Sequence, residues 1–175
     1  MAGPTTESEE YEYDDLTLAQ QVEEYDRMIG IVGDGIIGAA GGFVGTALMT
    51  GVLLIAASLG AFGFGSFATL AAPLGLGGTQ WSVAIGFLIF LGNGMVPWPL
   101  LFASLMEYLP GEKPAVSGMF FAAALWTGFV MGFYNGFAGV TLALYLVFTL
   151  AAHLVYGFAL GQVFEYLATR PDSLV

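Results

Sequence analysis

The sequence predicts an all-α polytopic membrane protein: four transmembrane helices packed as a bundle, with a short N-terminal amphipathic helix. Three observations carry this prediction. The 175 residues are 57% hydrophobic and only 10% charged, with a mean hydropathy of +0.80, whereas a soluble domain carries about 25% charged residues to face water. The charges are segregated, since ten of the fourteen acids lie between Glu7 and Asp34 and residues 35–106 contain no Asp, Glu, Lys or Arg. A second uncharged stretch, 114–164, holds His153 as its one imidazole. A bilayer crossing takes about 20 apolar residues, and the two stretches divide at Gly, Pro and polar clusters into four.

Along the chain, residues 1–15 are an acidic polar tail with too little apolar surface to offset the entropy of ordering, and are expected to be disordered. Residues 16–30 read as an amphipathic cytoplasmic helix: Leu18, Val22, Tyr25 and Ile29 recur at helical spacing, and Thr17 with Gln20 resembles a capping box. Its polar face carries Glu23, Glu24 and Asp26, which anionic headgroups repel, so docking on protein is expected in preference to docking on lipid. The transmembrane domain covers 31–167. Its first span is expected at about 35–60, with Asp34 placed to cap its start. The second is expected at about 81–108, the third at 115–135 and the fourth at 139–164, followed by a C-terminal tail, 168–175. Residues 61–80 are too short to span and too apolar for a free loop, which predicts an interfacial or re-entrant half-helix. Pro110 to Pro114 make the turn between the second and third spans.

Several functions are excluded by composition. The absence of cysteine removes disulfides, thiolate metal sites and Cys nucleophiles. Three basic residues against fourteen acids exclude nucleic acid as a partner, because phosphate neutralisation needs clustered Lys and Arg. An acidic leader is unlike a signal peptide. With four crossings, Arg27, Lys113 and Arg170 share one side, and the bias of positive charge predicts a multi-pass cell-membrane protein with both termini cytoplasmic.

Glycines are the most abundant motif. Gly35, Gly38, Gly42 and Gly45 form a stripe on the first span; Gly128, Gly132 and Gly136 form a double GxxxG ladder on the third; Gly157 and Gly161 pair on the fourth. Small residues let membrane helices approach closely, so these are read as packing faces, within the bundle in the first instance and against another subunit in the second. Pro97 and Pro99, within the run GNGMVPWPL, interrupt the second span, because each lacks an amide donor. Such a break is either a structural kink or a site where carbonyls and Asn93 meet a solute.

His153 lies midway along the fourth span. An intramembrane imidazole suggests a proton relay, quinone hydrogen bonding or haem ligation, against the plainer reading of a structural hydrogen bond across helices. Glu107, at the end of the second span, is read as an interfacial carboxylate, with a proton path as the alternative. Trp81, Tyr108, Tyr134 and Tyr166 fall at span ends as interfacial aromatics, while Trp98 and Trp126 lie deeper as packing residues.

The segments GGFVGTALMTGVLL, WPLLFASLMEYLPGE, ALWTGFVMGFYNG and LAAHLVYGFALG resemble a family of small haloarchaeal four-helix integral membrane proteins, over roughly residues 38–167. The resemblance implies the fold and a high-salt cytoplasm suited to the acidic tail, but no established activity and no site residues. It also implies an association with respiratory oxidases, through members encoded near their genes. The expected function is therefore a non-catalytic helix-packing or accessory subunit of a membrane complex, with the lipid bilayer and either a membrane-protein partner or further copies of the chain as its partners, and with no cofactor, metal or catalytic residues. The alternatives are a small oligomeric channel or transporter using the broken second helix, and a haem- or quinone-binding electron-transfer subunit using His153. Self-contained enzymatic chemistry lacks the convergent polar groups it needs.

Overall fold

A computed structural model describes residues 7–168. The expected tails at residues 1–6 and 169–175, with Arg170, lie outside the described residues, as do the side chains of Arg27 and Asp34. The protein is helical throughout: α1 Glu7–Ser58, α2 Ala68–Ala71, α3 Ser82–Met95, α4 Pro97–Leu105, α5 Pro114–Gly132 and α6 Gly139–Ala168. Four stretches are long and apolar enough to cross a membrane, Gly35–Ser58, Ser82–Tyr108, Pro114–Gly132 and Gly139–Leu167.

The N-terminal part departs from expectation. Helix α1 is continuous from Glu7 to Ser58, through the stretch expected as a disordered tail and through the expected boundary near residue 30. Its backbone at Asp34 is therefore mid-helix, and neither Asp34 nor Thr17 starts a helix. The physical reason is local. No proline occurs between Pro4 and Pro73, and the Leu, Ala, Gln, Glu and Met of residues 16–30 are strong helix formers. Side chains Val22 and Tyr25 are exposed.

Helix α1 ends where Gly60 adopts φ +70°. The Gly60 N–H donates to the Ala57 carbonyl at 3.0 Å and the Ala61 N–H to the Ala56 carbonyl at 2.9 Å, the paired closure that a left-handed glycine permits. Residues 64–74 then form short helical turns around α2. These turns lie against α3 so closely that a Cβ on Gly86 would sit 1.8 Å from the Phe67 carbonyl oxygen. Asn135, in the loop after α5, donates to the Ser66 hydroxyl and ties this segment to the opposite helix pair.

Helix α6 is the centre of the bundle, flanked by α1 on one side and α5 on the other, while α1 also packs against α3 and α4. Glycine makes these approaches possible. A Cβ on Gly118 would lie 2.1 Å from the Gly157 carbonyl oxygen, one on Gly161 2.1 Å from the Pro114 carbonyl oxygen, and one on Gly42 2.1 Å from the Gly94 carbonyl oxygen. Hydrogen bonds add to the α5–α6 contact: the Trp126 indole donates to the Thr149 hydroxyl at 3.0 Å, and the Tyr145 hydroxyl to the Val130 carbonyl at 2.9 Å. Trp81, Tyr108, Tyr134 and Tyr166 are exposed at the ends of the spans.

The circuit of helices is incomplete on one side. Helix α5 meets the α3–α4 span through aromatic rings near its two ends: Phe90 with Phe129 at 6.1 Å, and Phe102 with Phe121 at 5.5 Å. The first pair belongs to a cluster with Phe62, Phe67 and Phe133. The second includes Phe164, and Phe164 reaches the level of Gly38 and Pro99. One end of the bundle thus gathers the start of the first span, the end of the second, the start of the third and the end of the fourth.

Candidate functional site

Between the two aromatic clusters lies a cavity of about 470 Å³. Its back wall is Thr46 and Met49 of α1 with His153 and Tyr156 of α6, and its sides are Asn93, Gly94 and Trp98 of the broken span and Ala124, Thr127, Gly128 and Gly132 of α5. Leu70, Phe90, Leu125, Phe129 and Phe133 complete an apolar lining. Ala124, Thr127, Gly128, Gly132 and Trp98 are exposed, so the cavity opens sideways, through a window between α5 and the α3–α4 span. Phe121 and Phe129 are eight positions apart on α5, which makes the window about 12 Å tall there at 1.5 Å per residue.

The break explains one side of this window. Pro97 and Pro99 remove two amide donors, and Val96 between α3 and α4 leaves helical geometry at φ −121°, ψ −73°. The Gly94 carbonyl, just before the break, accepts from the Tyr156 hydroxyl at 2.9 Å. Pro99 is fully buried in the face made by Gly38 and Gly42. A side chain of α6 thus ties down the start of the kink, and Asn93, one turn before Pro97, lines the cavity. The Asn93 amide donates to the Ile89 carbonyl at 2.9 Å, leaving its side-chain oxygen as an acceptor.

His153 is 4% exposed. Its Nδ1 lies 2.8 Å from the Thr149 carbonyl oxygen; a carbonyl can only accept, so Nδ1 carries the proton and in the neutral ring Nε2 is an acceptor. Phe129 meets the imidazole edge-on, centroids 4.7 Å apart, and holds its plane. The Thr149 hydroxyl is fully engaged, donating to the Tyr145 carbonyl at 2.6 Å and accepting from Trp126.

Thr46 is 1% exposed, and its hydroxyl has no hydrogen-bond partner. Thr50, Thr69, Thr79, Thr127 and Thr149 each donate to a carbonyl three or four residues earlier. Thr46 does not, and its hydroxyl packs against α3 only because residue 94 is glycine: a Cβ there would lie 2.3 Å from the Thr46 hydroxyl oxygen.

Of the residues singled out from sequence, His153 and Asn93 come together in this cavity, with Gly128 and Gly132 at its mouth. Glu107 does not join them; it is exposed on the 3-10 turn Met106–Tyr108 at the end of the second span. The glycine faces divide in two. Gly38, Gly42, Gly45, Gly157 and Gly161 approach neighbouring helices, whereas a Cβ on Gly128 or Gly132 would meet nothing within 4 Å, and at Gly35 only a side chain at 3.9 Å. Gly136 is not on the third helix at all: α5 ends at Gly132, and Gly136 adopts φ +75° in the following loop. The ladder expected there therefore stops at two glycines, because the second GxxxG step spends its last glycine on a turn.

Sequence reading did not identify Thr46 or place Tyr156 and Trp98 in a site. Tyr156 is readable in retrospect as the i+3 neighbour of His153 on one helical face, and Thr46 as the polar residue flanking the Gly42–Gly45 stripe. A model of a protein family of unknown function matches residues 32–175. No curated protein matches the chain, and no solved structure does.

Proposed function

The chain belongs to that family of unknown function, DUF6789, whose membership supplies no activity, and from its geometry we propose that this integral membrane protein is a non-catalytic binder of a lipophilic small molecule taken from the bilayer. The observation that carries the reading is the side window. The cavity is predominantly apolar, holds a few convergent polar groups, and opens toward the hydrocarbon at the level of the helix break, which is the ordinary anatomy of a small-molecule site. Its lining has an imidazole, hydroxyls and an amide, but no carboxylate and no cation among the described residues. General acid–base or metal chemistry has little to work with there, and a haem would find no cation for its propionates. Ring contacts between α5 and the second span on both sides of the cavity disfavour a channel along the bundle axis.

Native mass spectrometry of the full chain released from bicelles tests the proposal. A bound lipophilic molecule is expected, and Gly128→Trp, which places an indole in open space at the window, is expected to lower the bound fraction at least several-fold. Protein that stays empty in every lipid mixture, or a Gly128→Trp variant that binds as before, overturns it.

A second reading, the accessory subunit, is favoured by a different feature. Helix α1 continues for 28 residues before Gly35, about 42 Å at 1.5 Å per residue, with Val22 and Tyr25 of its apolar stripe uncovered. On this reading the acidic helix docks on the cytoplasmic face of a larger membrane protein or a further copy of the chain. Co-purification in mild detergent that yields a stoichiometric partner, lost on deleting residues 1–30, supports it; a lone monomer opposes it.

A further inference from the structure

We propose that the molecule held in the cavity is an alcohol or phenol, whose hydroxyl donates to Nε2 of His153, while its apolar body lies in the window between Trp98 and Gly128. The inference rests on the proposed binding of a lipophilic molecule and names its chemical class.

The imidazole sets the class. Nδ1 of His153 is committed to the Thr149 carbonyl at 2.8 Å, and that carbonyl fixes the ring's tautomer, so the nitrogen left over asks for a donor. The Thr46 hydroxyl takes no part, being enclosed where Gly94 lacks a Cβ. A ligand hydroxyl supplies the donor that Nε2 lacks, whereas a ketone, quinone carbonyl or ether can only accept and turns a lone pair on the lone pair of Nε2. Hydrogen-bonding sites reject analogues that lack the matching group far more strongly than apolar walls reject a change of size.

The remaining polar neighbours agree. The Tyr156 hydroxyl spends its proton on the Gly94 carbonyl at 2.9 Å, and the Asn93 amide spends one on Ile89, so what these groups still offer includes oxygen acceptors. The walls that would meet the rest of the molecule are Met49, Phe90, Leu125 and the Trp98 indole. They are apolar and carry no charge, which suits a neutral hydrocarbon chain or ring rather than a phospholipid headgroup.

The test uses the full chain in nanodiscs with two matched probes, farnesol and farnesyl methyl ether, and reads equilibrium binding through Trp98 fluorescence in a Trp81→Phe, Trp126→Phe background. Farnesol is expected to bind about tenfold tighter than the ether, the worth of one or two net hydrogen bonds. His153→Phe is expected to bring farnesol down toward the ether, while the ether's own affinity falls by no more than about twofold. Retained binding of the ether shows that the variant is folded. Equal affinity for the two probes in the parent protein, or farnesol binding unchanged in His153→Phe, overturns the hydroxyl assignment while leaving a lipophile site intact. Failure of both probes to bind removes the site itself, and this inference with it.

Discussion

Substituting Gly118 by Ala probes a backbone-to-backbone helix contact, that of α5 with α6. The new Cβ would lie 2.1 Å from the Gly157 carbonyl oxygen and 2.9 Å from its carbon. Real Cβ atoms essentially never come closer than 3.0 Å, so α5 and α6 must part by about 0.9 Å locally. Neither obstacle is a flexible side-chain end that can swing away; both are backbone. A gap of about 0.5–1 Å forfeits a quarter to a half of the dispersion energy of the atoms it separates. The interface affected includes the Gly161–Pro114 approach and Ala122 against Gly157. A loss of about 3 kcal/mol is expected, the upper end of the usual cost of overpacking. Gly128→Ala is the control, on the same helix with nothing within 4 Å of its Cβ. Both substitutions gain about the same 0.5–1 kcal/mol of helix propensity, so their difference isolates the clash. Steric-trap unfolding in bicelles measures that difference directly. If Gly118→Ala came within about 0.5 kcal/mol of Gly128→Ala, the argument from backbone contact would fail.

Four further outcomes are expected. Thr46→Val, which removes an unpartnered buried hydroxyl without changing shape, should stabilise the ligand-free protein by up to about 1 kcal/mol in the same unfolding assay; a loss of similar size would mean that the hydroxyl is bonded. Trp126→Phe should cost about 0.6–1.5 kcal/mol, the range for a hydrogen bond between membrane helices, and no loss would show that the indole–Thr149 bond contributes nothing. Tyr156→Phe should cost more, about 1–3 kcal/mol, because it strands the Gly94 carbonyl at the helix break as well as deleting the bond. Cysteines placed at residue 112 and at the N-terminus should label from the same side of the membrane and a cysteine at 137 from the other; labelling of all three from one side would refute the four-span topology.

Most of the fold was legible because membrane burial writes itself on composition. The uncharged runs 35–106 and 114–164 admit four spans, and those spans are present with ends within a few residues of expectation. The stretch before Gly35 was less legible. Its acidity argues against a packed core, but acidity says nothing about helix continuity, which depends on the absence of proline and on strong helix formers. Gly136 was misread for a related reason: GxxxG spacing is the same whether the last glycine sits on a helix or in the left-handed turn that ends it. The candidate site was half legible. His153 and Asn93 stand out as polar groups in apolar runs, and their convergence depends on α6 packing beside α1, which no local pattern encodes. Thr46 was invisible because threonine normally satisfies itself on its own helix, and only its packing against Gly94 shows that here it does not.

The central position of α6 bears on how the protein is made. The helix that α1 and α5 both lean on leaves the ribosome after both of them. Until it is inserted, α1 has only α3 and α4 to settle against, and α5 has the aromatic contacts with the second span and little else. The early product of synthesis is therefore a three-helix hairpin array with its glycine faces at 118 and 45 uncovered, waiting in the lipid. Completion is a single late event in which one helix slots between two that are already present, so any truncation before residue 139 should leave an open form for quality-control proteases to remove, whatever the merits of its first three spans.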